Sequence, residues 1–125
     1  MLAQSDAATV TSRTEELRRA LGVRLAELRV EHEETVAEMT VAGLADSGDD
    51  VADLGTKALI RDQEFALAVT IQGRMQQVEH ALERLDQGHY GWCENCTTEI
   101  PVARLAAFPS ATLCVACKSL TERRA

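Results

Sequence analysis

GHYGWCENCTTEIPVARLAAFPSATLCVACK, residues 88–118, is the stretch that decides the fold. It carries all four cysteines of the chain, as Cys93-x2-Cys96 and Cys114-x2-Cys117, with 17 residues between the pairs. A two-residue gap bends the backbone so that both thiolates of a pair reach one ion, and the intervening stretch returns the second pair to complete a tetrahedron. The spacing therefore predicts one structural zinc ion held by Cys93, Cys96, Cys114 and Cys117. Four sulfur ligands close the coordination and leave no position for an activated water, which disfavours a hydrolytic centre. Two other readings of the same cysteines are disulfides and a redox pair. Disulfides need an oxidising compartment, and the opening MLAQSDAATV lacks the basic, strongly apolar run of a secretory signal. A redox pair of thioredoxin type belongs at a helix start within a βαβ pattern, which this sequence does not offer. Pro101 and Pro109 argue against a continuous helix between the pairs. A short helix is expected from Cys114 to Arg124, and Trp92, Ile100, Leu105, Phe108 and Leu113 are the expected small core around the metal.

Upstream of this module the chain changes character. It is built from Ala, Leu, Val, Glu, Arg and Gln, and of its four large aromatics (Phe65, Tyr90, Trp92, Phe108) only Phe65 precedes the cysteine region. Residues 1–11 read as a flexible tail, with Ser12 or Thr14 as a helix cap. Leu17, Leu21, Leu25 and Leu28, then Thr35, Met39 and Ala42, recur at helical spacing, with His32 on the same stripe as a packed residue. Ala45-Asp46-Ser47-Gly48-Asp49-Asp50 is a stop and turn. A second stripe follows in Ile71, Met75, Val78, Leu82 and Leu85, extended by Phe65 and Ala68, and Gly88 ends it. The expected architecture is mainly α. A long antiparallel coiled-coil hairpin over 12–87, turning at about 45–53 with arms of ~45 Å, precedes a zinc module with a short terminal helix over 88–125.

Charge narrows the partners. The 125-residue chain has a net charge of −7, and from Val30 to Thr56 it has eight Asp or Glu and no Lys or Arg. A duplex-DNA binder carries a basic stripe to displace counterions from phosphates, so a protein partner is favoured and sequence-specific DNA binding is not expected. No apolar run is long enough to cross a bilayer, and the reading is a cytoplasmic monomer. His32, His80 and His89 have no paired nucleophile, which points away from an enzyme. The alternatives kept are a nucleic-acid-binding zinc module, supported by the finger and the basic Arg123-Arg124, and a thiol switch in which oxidation releases zinc.

Tyr90-Gly91-x-Cys93-Glu94-x-Cys96, with Ile100, Arg104-Leu105, Pro109, Ala111, Cys114 and Cys117-Lys118, resembles the zinc finger of the DksA/TraR family. Thr97 stands where that family usually has glycine. The helical hairpin ahead of the finger is also the family's arrangement. The resemblance implies a factor that binds bacterial RNA polymerase and inserts its coiled coil into the secondary channel, presenting an Asp-x-x-Asp-x-Ala tip near the catalytic centre. Counting back from the finger places that tip on Asp50 and Asp53, with Gly55 at the alanine position. Asp46 and Asp49 form a second candidate pair. Arg104 and Lys118 are possible contacts at the base. Where family members bind guanosine tetraphosphate, Lys118 keeps one basic charge but Gln77 and Phe108 replace two others, so strong synergy with that alarmone is not expected.

Overall fold

The computed structural model describes residues 2–44 and 51–124, with side chains over 12–39 and 53–123. Two long helices dominate, α1 (Leu2–Leu44) and α2 (Val51–Asp86), followed by a six-residue α3 (Val102–Ala107) and α4 (Val115–Arg124). Among the described residues the β structure is a single antiparallel bridge between Trp92 and Glu99. Over the expected tail, 1–11, the structure carries helix: α1 begins at Leu2. Ala3, Ala7 and Ala8 are strong helix formers, and no Gly or Pro stands in this stretch to stop a helix that continues downstream. Of the expected turn, residues 45–50 lie outside the described residues, whereas Asp53 sits in the first turn of α2.

Packing divides the chain into two units, and the division does not fall at the cysteine module. One unit joins residues 1–24 to 77–125; the other is 25–76. In the first, Leu21 from α1 and Val78, Ala81 and Leu85 from α2 are buried. The Arg18 guanidinium donates from Nε and Nη2 to Asp86 Oδ1 at 3.1 and 2.8 Å, which sets α1 against the end of α2 in antiparallel sense. Both groups are exposed, so the pair marks the register and contributes at most about 1 kcal/mol. In the second unit Leu25, Leu28 and Thr35 from α1 and Ala68 and Ile71 from α2 are buried. The Thr35 hydroxyl donates to the Glu31 carbonyl at 2.8 Å, which satisfies it without a partner across the helix pair. His32 lines a shallow apolar groove with Val36, Met39, Phe65 and Ala68, as a packing residue.

The α2 stripe is corrected at two positions. Phe65 is 62% exposed, while Ala81, at 0%, is fully buried where Leu82 was expected to point inward. Ile71, Val78 and Leu85, seven residues apart, stay buried as the seam predicts, Leu82 is half-buried, and Ala81 joins the buried face beside it. The helix ends as its glycine predicts. Gly88 adopts φ +80°, its N–H reaches the Leu85 carbonyl at 3.2 Å, and the His89 N–H reaches that of Arg84 at 2.8 Å. These two bonds form a Schellman motif, which a residue with Cβ would strain.

Because Ile71 has no exposed surface, Ile71→Ala is expected to lower unfolding stability by about 2–5 kcal/mol. Urea titration followed by helical circular dichroism checks this, and Leu67→Ala on the exposed face serves as the near-neutral control.

Candidate metal centre

Each cysteine pair is built by a different local device. After the α2 cap, Gly91 takes φ +90°, which a β-carbon would strain. The Ile100 N–H then donates to the Gly91 carbonyl at 2.8 Å and closes the Trp92–Glu99 bridge. Inside that small ribbon the Cys93 N–H reaches the Thr98 carbonyl at 2.8 Å and the Thr97 N–H returns to the Cys93 carbonyl at 2.9 Å. The second pair uses a helix start instead. Cys114 directly precedes α4 and Cys117 lies in its first turn. The Lys118 N–H donates to the Cys114 carbonyl at 2.9 Å. Unpaired N–H groups at such a helix start favour negative sulfur. Between them, Pro101 opens α3 and the Phe108 N–H closes it on the Arg104 carbonyl at 2.7 Å.

The result brings all four predicted ligands together. Their Sγ atoms lie within 4.8 Å of one another, and Cys96 and Cys114 are 3.8 Å apart. Tetrahedral zinc with bonds of about 2.3 Å places its sulfurs about 3.8 Å apart, so the cluster fits the ion. Cys93 and Cys117 are buried, Cys114 is half-buried and Cys96 is exposed. Ionisation is unequal across the set. Burial opposes a charge on Cys93, but N–H groups of Cys96, Cys114 and Asn95 outweigh it and bring the thiol down to about 6. The Thr98 hydroxyl, 3.3 Å from Cys96 Sγ, and the Thr98 N–H lower Cys96 as well. The Asn95 amide favours the Cys117 thiolate from 3.4 Å, yet the surrounding thiols and burial push Cys117 up to about 12. Without a cation the four sulfurs cannot all be charged; a divalent ion resolves that conflict.

The small core is tighter than expected. Cys93, Ile100 and Cys117 are buried, and Leu105, Leu113 and Cys114 pack against them. The expected roles of Trp92 and Phe108 are corrected, since they are 49% and 61% exposed. Trp92 neighbours the inward Cys93 in the ribbon and so points to the other face. Phe108 lies outside the core beneath the Arg104 guanidinium, 5.8 Å from its ring centre. Tyr90 is the aromatic that ties the module down, donating its hydroxyl to the Pro109 carbonyl at 2.7 Å; burial raises its pKa.

Thr97 adopts φ +61°. That left-handed conformation is uncommon for a β-branched residue, which explains why glycine suits the position. Its hydroxyl donates to the Cys96 carbonyl at 2.6 Å, a local compensation.

The positions singled out at the base, Gln77, Arg104, Phe108 and Lys118, line one groove of about 490 Å³. Gln77, Arg104 and Lys118 each make a contact within the protein. The Gln77 amide donates to the Ser110 carbonyl at 2.7 Å and to Thr112 Oγ1 at 3.2 Å. Arg104 Nε donates to the Leu113 carbonyl at 3.2 Å, and Lys118 lies 4.0 Å from Glu122. Sequence reasoning missed the partners of Gln77 and of His80, which pairs with Glu94. No local pattern announces a contact between residues that far apart in the chain. Of the tip candidates, Asp53 and Gly55 are exposed in α2, whereas Asp46, Asp49 and Asp50 lie outside the described residues.

Residues 88–123 match the model of the prokaryotic dksA/traR C4-type zinc finger. The chain is 36% identical over 99 residues to the RNA polymerase-binding transcription factor DksA of Haemophilus influenzae, covering 74% of this chain and 68% of that protein. It is 33% identical over 91 residues to the protein of the same name from Escherichia coli K12, covering 70% of this chain and 60% of that one. Among solved structures, transcription factor DksA2 from Pseudomonas aeruginosa superposes with a TM-score of 0.74 at 29% identity, over 90% of this chain and 85% of that one.

Two outcomes are expected. Metal analysis of the purified chain should give one zinc per chain, and replacing any one ligand, as in Cys117→Ser, should abolish it and unfold the base while the long helices keep part of their circular dichroism. Thr97→Gly should relieve the left-handed strain and stabilise the zinc-loaded protein by about 1 kcal/mol in thermal unfolding.

Proposed function

This chain belongs to the DksA family of zinc-finger proteins, and from that premise we propose that it is a transcription regulator that binds bacterial RNA polymerase. One observation carries the reading: similarity to proteins named RNA polymerase-binding transcription factors extends over 99 residues, well beyond the finger itself. The finger alone would be compatible with nucleic-acid binding. A net charge of −7 supports a protein partner instead, because phosphate neutralisation needs a surplus of cations that this chain lacks. The four-cysteine site is structural and closed, so the protein acts by binding rather than by catalysis. Its place of action is the cytoplasm, where the polymerase works.

In this proposal the acidic link between α1 and α2 is the working end. Asp50 and Asp53 face the polymerase active centre through the secondary channel, Gly55 supports them at the small-residue position, and Asp46 and Asp49 are secondary. Carboxylates delivered near a catalytic magnesium can perturb its coordination, since that ion prefers hard oxygen ligands. The base grips the outer rim of the polymerase, with Arg104 and Lys118 as contact residues. The Gln77 amide is spent on Ser110 and Thr112, and Phe108 offers no charge where a phosphate would need one. Strong synergy with guanosine tetraphosphate at the base is therefore not expected.

The Asp50→Asn/Asp53→Asn double variant should bind purified polymerase within about twofold of the parent and lose its effect on transcription in vitro across several promoters. Asp46→Asn/Asp49→Asn should keep most of that effect. If the second pair proves essential and the first dispensable, the working end is misassigned; if the parent binds duplex DNA in preference to polymerase, the function itself is wrong.

A further inference from the structure

We infer that α2 clamps the metal centre: His80 and Gln77 are positioning residues that hold the two cysteine knuckles together and set how fast zinc leaves. They stand three residues apart on α2, so their side chains share one face of the helix. The inference rests on zinc as the resident ion and is independent of the polymerase reading.

Glu94 lies inside the first cysteine pair and Thr112 two residues ahead of the second. They tie the knuckles directly, because the Glu94 N–H donates to the Thr112 carbonyl at 3.0 Å and the Thr112 hydroxyl donates to Glu94 Oε1 at 3.3 Å. Both halves of this tie are then gripped from α2. The His80 Nε2–H takes the remaining carboxylate oxygen, Glu94 Oε2. The Gln77 amide holds Thr112 Oγ1 at 3.2 Å and the Ser110 carbonyl at 2.7 Å. Thr112 is 4% exposed, so the network is shielded from competing water at its centre.

Zinc leaves by losing its accessible thiolates first, and these are Cys96 and Cys114, one from each knuckle. Once they part, the ion keeps only the buried Cys93 and Cys117. Separating Cys96 from Cys114 requires the knuckles to move apart, which breaks the Glu94–Thr112 tie and its anchors on α2. Neither His80 nor Gln77 touches the metal. Their effect passes through the orientation of the ligand loops, as partners outside the coordination sphere do in other metal sites.

The test is zinc release from the loaded full-length chain to a chromogenic chelator, 4-(2-pyridylazo)resorcinol. His80→Ala and Glu94→Ala should each accelerate release by about 10- to 100-fold, and the double variant should be no faster than the faster single one. His80→Gln, which keeps an N–H donor, should restore release to within about twofold of the parent, and His89→Ala, beside the knuckle but outside the network, should leave it unchanged. Zinc stoichiometry and helical content should stay constant throughout. Unchanged release in His80→Ala, additive effects in the double variant, or failure of His80→Gln to rescue would each overturn the clamp. If His80→Ala does not fold, Gln77→Ala gives the same readout, and unchanged release there overturns it equally. A parent chain that carries no zinc overturns the metal reading instead.

Discussion

Four sulfurs held within 4.8 Å of one another demand a cation. That electrostatic requirement underlies the C-terminal third of the molecule. The finger's buried core is Cys93, Ile100 and Cys117, with Leu105, Leu113 and Cys114 at its edge, so the cysteines are themselves half of what is packed. A segment this small buries too little apolar surface to offset the entropy of ordering it. The ion supplies the missing term, and it does so only while all four thiols stay ionised.

The long helices follow a different rule. Their stability comes from aliphatic side chains that meet along one face, and very little of it from charge. An ion pair between α1 and α2 that marks their register, Arg18 with Asp86, is open to water. The two regimes meet at the last turns of α2. Leu85 faces the helix pair there, while Gln77, His80 and Arg84 reach the module; Arg84 donates to the Trp92 carbonyl at 2.9 Å. This is why packing groups residues 77–125 with the start of α1 and makes no break at Gly88.

Much of this was legible in the chain. The paired Cys-x2-Cys spacing named all four ligands, because such a site is encoded locally at each end and needs only that the ends return. Gly88 announced the end of α2 for the same local reason. The failures share one cause: burial is decided by partners distant in sequence. Trp92 and Phe108 are large and apolar, yet the module has too little mass to cover them, and hydrophobicity alone placed them inside. Phe65 was drawn inward by its apolar character, and Ala81 was overlooked because alanine carries little hydrophobic signal. Thr97 lay between the two cases. Its position after the second cysteine was visible, but only the backbone angle shows what the position requires.

Ala81 has a consequence for how this sequence can vary. With no exposed surface and a single methyl group as its side chain, it acts as a spacer gauge between α2 and whatever packs on it: the axes can approach only because so little stands there. Any residue larger than serine would force the elements apart at the level of the base, and a loss of fit there cannot be absorbed by a flexible side chain. Drift at the exposed positions, including the aromatic ones, is comparatively free. A narrow tolerance thus belongs to one of the least conspicuous of the described helical residues.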